Sequence, residues 1–165
     1  MRFLPPILFS VFLIISCDNS EKHEVYNENN TTVMNGVVYD INEKPINGLY
    51  KAYYPDGTVK MEVLSQNGLP EGLGKFYNED GSLLFKGTFK QGKPNGFMVN
   101  YYPDGKIHNE INYQDGLLHG FQKIYDTKGN VIVDVTFDNG KAINGYSFIN
   151  GEKIELTPEE LSELE

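Results

Sequence analysis

The chain has 165 residues, enough for one domain of ordinary size. It carries 14 Lys and Arg residues against 23 Asp and Glu residues and shows no basic stripe, which argues against nucleic acid as a partner. Gly is frequent, at 17 residues, and every aromatic residue is Tyr or Phe, a composition that favours many short strands over helices.

The N-terminus has the features of an export signal. Residues 3–15 are mostly apolar and follow a positively charged start, but the run is too short to span a bilayer as a helix. It ends at Cys17, the single cysteine, after two isoleucines and a serine. This ending resembles a bacterial lipobox, which implies that residues 1–16 are a lipoprotein signal peptide and that Cys17 carries the lipid. An ordinary signal peptide or a buried cysteine is the alternative.

The segment after the cysteine is polar, acidic and rich in asparagine, with no apolar periodicity. Such a composition is typical of a flexible chain, so residues 17–34 are predicted to be the lipidated cysteine and a tether. The expected location is the bacterial cell envelope, with a membrane as partner through the lipid on Cys17. The outer membrane or the cell surface is favoured, and the inner membrane is the alternative.

Four columns of residues then recur with a step of 24. Repetition on this scale is the signature of stacked supersecondary units. The columns are Gly48, Gly72, Gly96 and Gly120; Gly57, Gly81, Gly105 and Gly129; Gly68, Gly92, Gly116 and Gly140; and Tyr53, Tyr77, Tyr101 and Tyr125. They define four copies, at residues 48–71, 72–95, 96–119 and 120–144.

Each copy is predicted to form two strands joined by a tight turn, such as the one at residues 55–57. Pro fixes φ at the first corner, Asp caps the turn, and Gly supplies a positive φ. The second strand alternates apolar and polar residues. Val59, Met61 and Val63 are therefore expected on a buried face, with Lys60 and Glu62 on a wet face.

The array is predicted to continue at both ends, over residues 35–156. Residues 36–48 resemble the second half of a preceding copy, and Asn150 with Gly151 is a strong hairpin signal. The fold class is therefore all-β: an elongated single-layer antiparallel sheet of repeated β-hairpins, with about eleven strands.

A short C-terminal helix is predicted over residues 157–165. Thr157 is suited to the N-cap, Pro158 to the first helical position, and Glu160 completes a capping box. This helix is expected to cover the last strand edge, because an open sheet needs protected edges.

The spacing Gly, four residues, Tyr-Tyr-Pro-Asp-Gly, and then Asn-Gly or Asp-Gly about ten residues later resembles MORN repeats (membrane occupation and recognition nexus). The copies look most like the bacterial variant, which is often labelled an antitoxin component of toxin–antitoxin systems. The resemblance covers about residues 36–151 and implies a fold of stacked hairpins.

No catalytic arrangement, metal site or cofactor site is predicted. His23, His108 and His119 are expected to be solvated surface residues, because no histidine pair has metal-ligand spacing. Aspartates recur in the turns, and their predicted role is to cap the turns rather than to bind calcium. These aspartates are Asp56, Asp80 and Asp104.

The recurrent tyrosines allow two interpretations, cross-strand packing or a platform for a ligand, and packing is favoured because every copy carries one. Tyr54 and Tyr102 follow that column by one residue and are expected to point to the other face. They occur in alternate copies only, which makes them the candidate ligand-binding residues.

These features predict a non-enzymatic, membrane-anchored lipoprotein whose repeats bind a protein or an envelope glycan. An antitoxin or immunity-type protein that binds a toxin is a second hypothesis. A structural spacer of the envelope is the third.

Overall fold

The computed structural model describes residues 24–164, which form strands and one short helix. The elements are β1 (Val25–Asn27), β2 (Thr31–Met34), β3 (Val37–Asp40), β4 (Gly48–Tyr53), β5 (Val59–Gln66), β6 (Leu69–Tyr77), β7 (Leu83–Lys90), β8 (Lys93–Tyr101), β9 (Ile107–Gln114), β10 (Leu117–Tyr125), β11 (Val131–Asp138), β12 (Lys141–Ile149), β13 (Glu152–Glu155) and α1 (Pro158–Ser162). Among these residues no helix is long and apolar enough to cross a membrane.

Strands β4 to β13 follow one another in the order of the chain, each antiparallel to the next. Strand β1 adds to β4 in parallel and completes an 11-stranded sheet, while β2 and β3 form a separate two-stranded sheet. The predicted all-β fold, an open antiparallel sheet of consecutive hairpins with one short helix, is confirmed.

Two kinds of turn alternate along the array. Two-residue turns such as Asn67–Gly68 have φ of 53° and 73°, the left-handed geometry that matches the twist of hairpin strands. Longer turns lie at the other end of the hairpins, where the Asp56 carboxylate accepts a hydrogen bond from the Thr58 backbone N–H at 2.8 Å. The predicted turn at Asn150–Gly151 is confirmed, with φ of 53° and 83°.

A β-bulge recurs in the second strand of each copy, so this strand departs from the predicted alternation of buried and wet residues. Ala52 pairs with Met61 and Tyr53 pairs with Val59, so Lys60 is an extra residue. The same shift recurs at residues 84, 108 and 132. The prediction that Val59 shares a face with Met61 is therefore wrong, because the extra residue places Val59 opposite Tyr53.

The register defines two faces of the sheet, since paired residues point to the same side. The apolar face is built on the row Tyr50, Val63, Gly74, Gly87, Met98, Ile111, Gln122, Val135 and Gly145. The opposite face, here called the charged face, is built on the charged row Lys51, Glu62, Lys75, Lys86, Val99, Glu110, Lys123, Asp134, Tyr146 and Glu155.

The N-terminal segment covers the first end of the apolar face. Ile46 is 1% exposed and packs with Tyr50 and Val63, and Val38 of β3 packs against this cluster. Burial of these side chains is the main stabilising term for such a cap, which terminal copies of a repeat array need.

Two sequence predictions are corrected at this end. The tether predicted for residues 17–34 is wrong for residues 25–34, because β1 pairs with β4 and β2 pairs with β3. Residues 17–23 lie outside the described residues. Strand β3 also does not continue the array, since it pairs with β2 and lies in the second sheet.

The C-terminal helix caps the other end of the apolar face. The capping box is confirmed: Glu160 N–H donates to Thr157 Oγ1, and Thr157 N–H donates to the Glu160 carboxylate. Leu156 and Leu161 pack over Gly145, where a side chain would have no room. The helix packs against β12 and thus covers a face, where the sequence analysis predicted cover of the last strand edge.

Candidate interaction face

The charged row has opposite charges in its two halves. Its first four positions hold Lys51, Glu62, Lys75 and Lys86, three positive charges and one negative, which leaves +2. The part from β9 to β13 holds three carboxylates and Lys123, which leaves −2. A local positive excess is unexpected on a chain whose formal net charge is −9.

Ion pairs join neighbouring strands in the first and fourth copies. Lys51 Nζ lies 2.6 Å from Glu62 Oε1, and Lys123 Nζ lies 3.9 Å from Asp134 Oδ2. The hydrogen bond from Lys51 lowers the pKa of the Glu62 carboxyl, and the same bond raises the pKa of Lys51. Each pair is a cross-strand contact of opposite charges, which stabilises a sheet modestly.

The second copy breaks this pattern. Lys86 occupies the position, 24 residues on, that holds Glu62 in the first copy, and it stands directly opposite Lys75. Like charges directly opposite each other destabilise a sheet. Among residues 24–164, neither Lys75 nor Lys86 is part of an ion pair.

Exposed apolar side chains lie on the same face beside these lysines. Leu73 is 44% exposed and pairs with Thr88 of β7, and Phe97 is 60% exposed on β8, the next strand. The Phe97 ring centroid is 5.9 Å from that of Phe121. A shallow cavity of 160 Å³ opens next to Leu73. It is lined by Leu49, Glu62, Leu64, Leu73 and Lys75.

The apolar face of the second copy is covered by its own aromatic rings. The rings of Phe76 and Phe85 stack with centroids 4.1 Å apart and an angle of 12°. A Cβ on Gly74 would lie 2.9 Å from the Phe89 ring, so only glycine lets that ring lie on the sheet. These rings are half-buried and cover the backbone of this face, whereas Leu73 and Phe97 are exposed on the charged face.

The recurrent tyrosine column lies on the charged face, where it meets the carboxylates. The Tyr77 hydroxyl donates to Glu62 at 3.3 Å, and the Tyr125 hydroxyl donates to Glu110 at 2.7 Å. The bond to Glu110, with burial, raises the pKa of Tyr125 to about 12, and burial raises the pKa of Tyr77. The column therefore orders the charged row and is half-buried.

Tyr54 and Tyr102, the predicted ligand-binding residues, connect neighbouring copies. The Tyr54 hydroxyl donates to the Tyr77 carbonyl at 2.7 Å, and the Tyr102 hydroxyl donates to the Tyr125 carbonyl at 2.7 Å. Both are half-buried. They lie four strands apart, about 19 Å at ~4.8 Å per strand, and their role in binding stays a prediction.

The histidines and the cysteine are the remaining candidate residues, and two of the histidines contact neighbouring side chains. The His108 ring lies 4.6 Å from the Tyr102 ring, and His119 Nδ1 lies 3.4 Å from Asp138 Oδ1. His23 and Cys17 lie outside the described residues. In residues 24–164 no group of three metal-ligand side chains is present.

The turn aspartates behave as capping residues. Asp56, Asp80 and Asp104 each accept a hydrogen bond from the backbone N–H two residues on. The bonds from Thr58 and Lys106 lower the pKa of Asp56 and Asp104, and those from Ser82 lower the pKa of Asp80. A carboxylate held in this way stabilises its turn, the role that the sequence analysis favoured over calcium binding.

The first comparison, with models of known families, finds a repeat family that matches part of the array. Residues 46–67, 70–91 and 95–115 match the family model of the MORN repeat variant. Three segments of the array are therefore similar to this repeat. The matched segments cover β4 to β9, and the fourth copy continues the same register beyond them. MORN repeats indicate an interaction module built from repeated units.

The chain was also compared with curated proteins and with solved structures. A search of curated proteins found no match to the chain. Among solved structures, the chain matches the crystal structure of an S. aureus TarM mutant in complex with Fondaparinux, alpha-GlcNAc-glycerol and UDP, with 13% identity and a TM-score of 0.28. That match covers 76% of this chain and 21% of the other, so this chain spans about a fifth of that length.

Proposed function

We propose that this chain is a lipid-anchored interaction module of the bacterial cell envelope, and that it binds a macromolecular partner through the charged face. The observation that carries the proposal is the exposure of Phe97, at 60%, within a face of ordered charged residues. Apolar side chains rimmed by polar groups mark interaction sites on soluble surfaces. No catalytic role is part of this proposal.

The anchor in this proposal is the lipid on Cys17. Seven residues separate Cys17 from Val25, where β1 begins. A chain of that length spans at most about 25 Å when fully extended, so the array is held close to the membrane surface. Two or more acyl chains give stable attachment, whereas a single chain gives marginal binding.

The anchor is tested by Cys17→Ala. The substituted chain is expected to accumulate as an unprocessed precursor and to take up no radiolabelled palmitate, because the thiol that receives the lipid is absent. Labelling equal to that of the unsubstituted chain would exclude a lipid on Cys17.

The interaction is tested by placing a photo-reactive phenylalanine analogue at Phe97 in the full-length chain in cells. A matched control carries the analogue at Ile149, which is 56% exposed but lies at the end of the last long hairpin, away from the charged row. A discrete cross-linked species is expected at Phe97 and not at Ile149. Identical patterns at the two positions would contradict a binding role for the charged face.

A further inference from the structure

The opposed lysines of the second copy are not required by the fold. The register that pairs Lys75 with Lys86 is the same one that pairs Lys51 with Glu62 in the first copy. The first copy shows that a carboxylate fits this position and bonds its opposite lysine at 2.6 Å. A lysine at residue 86 therefore gives up a stabilising contact that the array makes elsewhere.

Three lysines in this part of the row share one carboxylate. Glu62 bonds Lys51 and lies opposite Lys75, while Lys86 has Val99 on its other side. A carboxylate of a bound ligand, placed between Lys75 and Lys86, reduces the repulsion between the two ammonium groups and accepts charge-assisted hydrogen bonds from them. Such an arrangement favours an acidic ligand at this point over one bound at an isolated lysine.

Apolar surface lies directly beside the two lysines. The cavity of 160 Å³ next to Lys75 has three leucines in its wall, and Phe97 stands exposed two strands away. The volume of this cavity is similar to the ~150 Å³ that a benzene ring occupies in an apolar cavity, so a single leucine or phenylalanine side chain can lie against the leucines of this open site. The Lys86 ammonium lies 5.9 Å from the centroid of the Tyr101 ring, which holds the cation near the same surface.

We infer that the second copy recognises a protein segment in which acidic residues stand next to leucine or phenylalanine. Lys75 and Lys86 bind the carboxylates, and Leu73 and Phe97 receive the apolar side chains. This inference rests on the proposed function and gives the chemistry of its partner.

Other occupants fit the surface less well. Sugar rings stack on flat aromatic platforms, whereas the cavity is lined by leucines with Glu62 and Lys75, and the neighbouring rings of Phe97 and Phe121 are tilted by 40° to each other. A second copy of the chain or an anionic membrane is repelled by the net charge of −9. A short acidic segment is attracted by the lysines of the second copy. The negative charges elsewhere on the chain repel it little, because charges farther away than a Debye length, about 8 Å at physiological salt, are screened.

The test begins with a display library of random short peptides selected on the full-length chain in detergent. We expect enrichment of sequences that combine Asp or Glu with Leu or Phe. Binding of the most enriched peptide is then measured by fluorescence anisotropy. Lys75→Gln and Lys86→Gln are each expected to weaken it by at least about tenfold, the loss of one charge-assisted hydrogen bond.

Lys123→Gln is the matched control. Lys123 occupies the same repeat position as Lys75 and loses the same charge, but Glu110 and Asp134 flank it in the row. Its substitution is expected to change the affinity by less than about twofold, because its charge is already paired. Circular dichroism melts of the three variants verify that each remains folded.

Several outcomes would overturn the inference. They are enrichment of basic or uncharged peptides, equal loss of binding in Lys123→Gln, and displacement of the peptide by a uronic acid oligosaccharide or by phosphatidylglycerol vesicles. If one of these occurs while the cross-link at Phe97 persists, the partner chemistry is wrong and the proposed function stands. If the cross-link is also absent, both are wrong.

Discussion

The second and fourth copies of the array share one backbone register and differ in the residues at its centre. The fourth copy places Lys123 opposite Asp134 on the charged face and Gln122 opposite Val135 on the apolar face. The second copy places two lysines opposite each other on one face and Gly74 opposite Gly87 on the other.

The difference separates the residues that make the fold from those that vary within it. Both copies keep the turn glycines and the tyrosine column, which set the hairpin geometry. On the apolar face, the rings of Phe76 and Phe89 fill the space over Gly74, and the Met98 side chain fills the space over Gly87. On the charged face neither lysine of the pair is in an ion pair within residues 24–164, since Glu62, which lies opposite Lys75, bonds Lys51. We therefore infer that a partner outside the chain compensates the two lysines.

The largest expected effect concerns the apolar face. Phe76→Ala removes the stack on Phe85 and the cover over Gly74, and is expected to lower the free energy of unfolding by about 3 kcal/mol, the low end of the range for this change. Ile124→Ala, at the same repeat position in the fourth copy, is expected to cost about 2 kcal/mol. Urea denaturation of both variants measures the difference. A larger loss for Ile124→Ala would show that the aromatic rings do not hold the second copy.

The next effect concerns the links between copies. Tyr102→Phe removes the hydrogen bond to the Tyr125 carbonyl and is expected to cost about 1 kcal/mol, as is Tyr54→Phe for the bond to Tyr77. Tyr101→Phe is the control, because within residues 24–164 its hydroxyl makes no hydrogen bond. Equal stability of all three variants would mean that these hydroxyl bonds do not connect the copies.

Acid is expected to weaken the ion pair of the first copy. The pKa of Glu62 in the folded chain lies below its ordinary value of 4.5. The ionised carboxylate therefore makes its full contribution to the free energy of unfolding above pH 4.5, and this contribution disappears as the pH falls through the folded pKa. Denaturation curves of the unsubstituted chain and Glu62→Gln, recorded from neutral to acidic pH, are expected to converge in acid. A constant difference between them would contradict this ionisation.

The smallest expected effect is a gain in stability. Lys86→Glu gives the second copy the cross-strand pair of lysine and carboxylate that the first and fourth copies have, and is expected to raise the free energy of unfolding by roughly 0.5 kcal/mol. Asp134→Lys creates an opposed lysine pair in the fourth copy and is expected to lower it by a similar amount. If Lys86→Glu destabilises the chain, the lysine has a structural role.

The sequence predicted the sheet well because its glycines and tyrosines recur at fixed positions. The hairpin at Asn150–Gly151 and the cap at Thr157 follow from local chemistry and are confirmed. The N-terminal cap was missed because the pairing of Val25 with Leu49 is a contact between distant residues in a segment of polar composition.

The site was harder to predict. The bulge at Lys60 changes which residues share a face, and alternation alone cannot reveal one extra residue. Tyr54 was chosen for its position one step after the column, but its hydroxyl reaches the backbone of the next copy. The exchange of carboxylate for lysine at residue 86 was visible in the aligned copies, although its meaning depends on the register that places Lys75 opposite.

The most direct test of this account is photo-cross-linking from Phe97 in a chain that also carries Lys86→Glu. The cross-linked partner is expected to be lost, although the substituted chain is at least as stable as the original. Cross-linking at the original level would contradict the claim that the second copy exchanges stability for the recognition of an acidic partner.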